Sequence, residues 1–129
     1  MGYQDLQWDI HLPLIAAGTG RTVFRTFKAE GNWFIESAEF MPDDAITAAA
    51  TNYTTVTLTN VTDSATIHTF NTNTGQTTTV AGTAIAVTVD AGSDSVVTQG
   101  DKFSLAKVET GTGGALGGTY SLFLRRRAL

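Results

Sequence analysis

The chain has 129 residues, a formal net charge of −4, no cysteine, 42% apolar and only 16% charged residues, and threonine at 23 positions. A chain of this size makes one domain, its apolar content is too high for disorder, and without cysteine it has neither disulfides nor thiolate metal sites. No apolar run approaches the roughly 20 residues of a membrane helix, the acidic balance argues against a general nucleic-acid binder, and Met1–Leu6 has no basic or apolar leader region, so neither membrane nor leader is expected.

Threonine is β-branched and suits a pleated, half-exposed surface, so strands are the expectation throughout. In residues 1–20, Leu6, Trp8, Ile10, Leu12 and Leu14 alternate as an extended arm or edge strand, followed by the linker-like Ala16–Gly20. The arm packs on its own sandwich or reaches a neighbouring subunit; both readings stay open. Strands are predicted at 22–28 and 33–40, a marginal helix at 43–50 where Asp43 and Asp44 suit a helix start, and further strands at 52–62, 65–70, 83–90, 96–98, 103–108 and 120–125. Val56 and Leu58 oppose Thr55, Thr57 and Thr59; Phe103, Leu105 and Lys107 oppose Ser104, Ala106 and Val108; Tyr120, Leu122 and Leu124 oppose Ser121, Phe123 and Arg125. Turn residues fall between these segments, and Gly111–Gly118 reads as a flexible hairpin loop. About eight short strands at this spacing predict an all-β antiparallel sandwich or barrel over 21–129, preceded by the arm.

Catalytic constellations are weak. His11 and His68 are the two histidines; His68, near Asp63 and Ser64, reads as a surface or half-buried structural residue rather than part of a triad. Metal-protease, nucleophile-elbow and phosphate-loop motifs do not occur in the sequence. Loop carboxylates Asp43/Asp44 and Asp90/Asp94 lack the spacing of a calcium loop, and two histidines without carboxylate spacing do not make an oxygenase triad. No enzyme activity, metal or cofactor is therefore expected. Trp8, Trp33, Phe34 and Phe40 are either core residues or a sugar-stacking platform. Arg125, Arg126 and Arg127 are either a solvated strand end or a carboxylate-binding cluster, and Arg21, Arg25 and Lys28 form a second basic group.

Four blocks carry a family resemblance. Phe40–Thr47 leading into Asn52–Asn60, the Gly100-Asp101 turn within Val97–Leu105, and the closing Gly118–Leu124 resemble small head decoration (cement) proteins of tailed bacteriophages. The resemblance spans about residues 20–127 and implies a jelly-roll sandwich. It also implies a protein that sits on the outer face of the capsid in the virion, contacts the major capsid protein and copies of itself as a homotrimer, and stabilises the head. Trp8, Ile10, Leu12, Arg21, Arg25, Arg125, Arg126 and Arg127 are the interface candidates. Removing residues 1–18 is expected to abolish binding and leave the sandwich folded. The alternative is a carbohydrate-binding module or fibre adhesin that uses Trp33, Tyr53 or Tyr120.

Overall fold

Period-two alternation builds the whole molecule. The computed structural model describes residues 5–16, 18, 20–44, 46, 49–72, 85–87 and 96–126. Among them the chain forms no helix and nine strands: β1 (Asp5–Ile15), β2 (Thr22–Lys28), β3 (Trp33–Pro42), β4 (Tyr53–Asn60), β5 (Ala65–Asn71), β6 (Ile85–Val87), β7 (Val96–Val97), β8 (Lys102–Thr110) and β9 (Leu116–Arg126).

Two antiparallel sheets face each other. One has the order β1-β9-β3-β6, with β7 also paired to β3; the other has the order β2-β8-β4-β5. Apart from β7, first pairs with last, second with next-to-last, third with sixth and fourth with fifth. A chain doubled back on itself and then rolled gives this order, which is that of a jelly roll. Inward-facing positions close the core: Val56, Leu58, Leu105, Phe40, Tyr120 and Leu122 are all fully buried.

The first strand belongs to this core. β1 pairs with β9 from Asp5 opposite Arg125 to Ile15 opposite Leu116. Ile10 and Leu12 are buried, and Leu6 and Trp8 pack against the core. Truncation at residue 18 therefore strips one edge of the sheet and its apolar face, so the sandwich is not expected to survive it.

The segment 43–50 is not helical at its described residues. Ile46 and Ala49 make isolated β-bridges, and the Ala49 N–H donates to the Thr72 carbonyl at 3.0 Å. One short segment behind Pro42 has too few turns to hold a helix against such pairing. The Gly111–Gly118 stretch joins β8 to β9 across the two sheets, so it is not a hairpin. It is also tied down. Thr54 Oγ1 donates to the Gly114 carbonyl at 2.8 Å, and Asn52 Oδ1 accepts from the Thr112 N–H at 3.0 Å.

The sequence blocks behind the family resemblance turn out to be fold contacts. Asn60, which ends β4, donates from Nδ2 to Asp101 Oδ2 at 2.9 Å. The same carboxylate oxygen accepts the Thr98 N–H at 3.0 Å, and Gly100 supplies the positive φ of 95° that the turn needs. At the other end Pro42 pairs with Gly118, where a Cβ would strike the Met41 carbonyl oxygen. Asp101→Ala leaves the buried Asn60 amide and the part-buried Thr98 N–H without the carboxylate oxygen they share. It is expected to cost about 1–3 kcal/mol, read as a fall in urea midpoint, while Asp63→Ala at the exposed partner of Asn60 costs less.

Threonine coats the outer face of the second sheet. Thr26, Ser104, Thr59 and Thr66 stand side by side across all four of its strands. The residues 73–84, with five of the threonines, and the loop pair Asp90/Asp94 lie outside the described residues.

Candidate functional site

The two sheets part along one side. There β1 and β2 are the outermost strands of their sheets, and a groove of about 550 Å³ opens between them. It is lined by Leu6 to Ile10 of β1, Arg25, Phe27 and Lys28 of β2, and Glu30 and Trp33. Local sequence explains its shape. Trp8 and Phe27 alternate inward from the two edges and meet edge-to-face at 5.4 Å, and Phe27 stacks on Phe103 at 5.3 Å. Such pairs contribute about 0.5–1.5 kcal/mol beyond burial and fix the floor. A bulge between Val23 and Arg25 re-aims β2, so that Arg25 and Thr26 are both exposed.

The charges of the groove are unequal. Asp9 lines it, yet its carboxylate accepts from Ser121 Oγ at 2.6 Å and Gln7 Nε2 at 2.8 Å. Those hydrogen bonds, Ser121 first, hold its pKa below the ordinary carboxylate value. Arg25 and Lys28 have no ion-pair partner among the described residues. Lys102 stands directly opposite Lys28 in the ladder.

The interface candidates separate in space. Trp8, Ile10 and Arg25 line the groove, but Ile10 is nearly enclosed and Leu12 is wholly in the core. These two are committed to the chain's own packing. Arg21 is exposed outside the groove lining. Arg125 lies on the outer face of the first sheet, where its Nε donates to Glu36 Oε1 at 2.9 Å and its guanidinium covers Phe34 at 5.3 Å. Arg126 is exposed at the end of β9, and Arg127 lies outside the described residues. The proposed aromatic platform divides too: Trp8 and Trp33 line the groove, Phe34 is on the other face of its sheet, and Phe40 is core. Tyr120 is fully buried, which removes it from any glycan surface.

Phe27, Lys28 and Glu30 are groove residues that sequence reasoning did not assign there. For Phe27 and Lys28 a signal was present in the repeated aromatic–basic pairs Phe24-Arg25 and Phe27-Lys28, but the bulge hid its phase. His68 is not a surface histidine. It is buried against Tyr120 at 5.1 Å between ring centroids, with neither ring nitrogen nor the Tyr120 hydroxyl hydrogen-bonded. Among the described residues no three histidine or carboxylate side chains gather as a metal site.

No family model matches the sequence, and no curated protein matches it. Solved structures with some likeness come from infectious bursal disease virus. The VP2 subviral particle gives a TM-score of 0.47 at 13% identity, over 98% of this chain and 34% of that one. The Gx strain gives 0.42 at 13% identity, over 97% and 33%. This chain thus spans about a third of the length of those chains. Likeness this distant says nothing about what this chain binds.

Proposed function

We propose that this chain is a structural protein of a virion: a decoration protein that binds the outer face of a tailed-bacteriophage capsid shell and stabilises the head. The observation that carries the reading is the groove between β1 and β2. It is an aromatic-floored opening, lined by Arg25 and Lys28, where β1 and β2 are the outermost strands of their sheets among the described residues of a threonine-coated sandwich. The sequence blocks that resemble decoration proteins support it as well, and a jelly roll is compatible with it. Since fold alone does not select function, the groove bears the weight.

Such a protein acts by contact. A few anchors carry most of the affinity, and many copies on one shell add avidity. The major capsid protein is the partner across the groove, with Trp8, Trp33 and Arg25 as anchors, and trimerisation places three grooves on one shell site. Neither nucleic acid nor membrane enters this reading.

The test is co-sedimentation of the purified protein with purified heads that lack it. Wild type is expected to saturate the shell. Arg25→Glu with Lys28→Glu, both at exposed strand positions, is expected to lower occupancy at least tenfold at the same thermal midpoint. Unchanged occupancy would overturn the groove's role.

A second reading has one observation in its favour: Trp8 and Trp33 share the groove with Arg25, Asp9 and Glu30, a mixture that also suits stacking and hydrogen bonding to a sugar. Specific binding on a glycan array, lost in Trp33→Ala, would favour it over head binding.

A further inference from the structure

Successive side chains of a strand point to opposite faces. The β1 wall nevertheless consists of five residues in a row, Leu6, Gln7, Trp8, Asp9 and Ile10. A wall of consecutive residues is the strand's open backbone edge, not one of its faces. The other edge of β1 is taken by β9 over the same residues. Folded proteins usually blunt such an edge with proline, lysine or a bulge. In β1 the proline and the bulge come later, at Pro13 and between Leu12 and Ile15. Asp9, the one charged residue in Leu6–Ile10, is turned to Ser121 and Gln7. Among the described residues no strand pairs with this edge of β1 where the groove runs.

The opposite wall is cationic. Arg25 and Lys28 line the groove without ion-pair partners among the described residues, and Lys28 stands beside Lys102. Like charges directly opposite in a ladder disfavour each other. An incoming carboxylate relieves that repulsion. Glu30 alone opposes these cations within the lining, because Asp9 is already engaged.

We propose that the groove takes an extended segment of the partner protein, added as a further strand along Leu6–Ile10, with carboxylates that meet Arg25 and Lys28. The proposal rests on the reading of the groove as the docking surface. Five strand residues span about 15 Å, so a segment of five to seven residues fills the edge. Main-chain hydrogen bonds give affinity in this mode, and pockets for alternate side chains give specificity: Trp8, Phe27 and Trp33 offer the apolar floor, and the cations select the charge.

Both tryptophans of the chain line this groove, so intrinsic fluorescence reports its occupation. The experiment titrates the full chain with three capped seven-residue peptides. The first alternates valine with glutamate, the second alternates valine with lysine, and the third is the first with alternate amides N-methylated. The glutamate peptide is expected to shift tryptophan emission saturably and to bind at least tenfold more tightly than either of the others. The double variant Arg25→Glu, Lys28→Glu is expected to reverse the charge preference. Equal binding of the glutamate and N-methylated peptides would overturn strand addition, as would absence of binding by all three. Equal binding of the glutamate and lysine peptides would overturn the acidic partner. Failure here with head binding intact removes the strand mode alone; peptide binding without head binding removes the decoration role instead.

Discussion

Glu109→Gln lowers the unfolding midpoint of this protein more than Lys107→Met does, although both substitutions break the same ion pair. The Lys107 ammonium contacts Glu109 in β8, and the two side chains are 0% and 5% exposed. Lys107 lies on the inward face with Phe103 and Leu105, so its charge sits inside the sandwich. The Glu109 carboxylate has other donors. The Gly18 N–H reaches it at 3.0 Å, and the Gly20 backbone contributes a further hydrogen bond. In Lys107→Met those amides still hold the carboxylate, and a linear side chain fills the lysine's space. In Glu109→Gln the ammonium stays enclosed without its carboxylate. Leaving an enclosed charge without its partner is destabilising, whereas replacing a buried charge with an apolar side chain of similar volume is often nearly neutral. Urea unfolding followed by tryptophan fluorescence at pH 7 distinguishes the two. Equal midpoints would show that the enclosed ammonium does not depend on this carboxylate. Glu109 also ties the Gly18 and Gly20 backbone to β8.

Acid destabilises the protein in two limbs, and the upper one belongs to His68. In the unfolded chain this imidazole titrates at its ordinary 6.5; burial pushes it down to about 4 in the folded state. Between those values the unfolded chain takes up a proton that the folded core refuses. Stability is thus complete above pH 6.5 and falls as pH drops toward 4, by a total of about 3 kcal/mol. Among the described residues no hydrogen bond offsets this, since both ring nitrogens are enclosed without a partner there. His68→Leu is expected to flatten this limb. The lower limb belongs to carboxylates, Asp9 and, above it in pH, Glu109, whose pKa is held below 4.5 chiefly by the hydrogen bond from Lys107. Its contribution is present above pH 4.5 and is lost as pH falls through the depressed value, in wild type and His68→Leu alike. Unfolding free energies between pH 7 and pH 3 that keep the upper limb in His68→Leu would assign it elsewhere. Tyr120→Phe, which deletes a buried hydroxyl with no partner, is expected to be neutral or slightly stabilising in the same assay.

Strands were the readable part of this sequence, because alternation is local. Val56 and Leu58 face in and Thr55, Thr57 and Thr59 out, as their spacing predicts. The buried position of Lys107 was also visible, since it falls in phase with Phe103 and Leu105. Pairing was not. β1 finds β9 at the far end of the chain, and nothing near Leu6–Leu12 encodes that partner or shows that it leaves an open edge. The arginine cluster misled for the same reason. Arg125 is close in sequence to Arg126 but answers to Glu36 and Phe34 on β3. The groove needs both unpaired edges and one bulge at once, so it belongs to topology. The blocks that suggested decoration proteins were legible because they build turns and close strand contacts, such as Asn60 with Asp101 and Pro42 with Gly118. They speak for the architecture more than for the docking surface.

The most direct measurement is electron cryo-microscopy of capsid heads incubated with the purified protein. Jelly-roll density is expected on the outer shell at full occupancy, with the β1–β2 side turned toward the shell and a capsid segment running along Leu6–Ile10. A bare shell, or bound copies with the groove open to solvent, would contradict this.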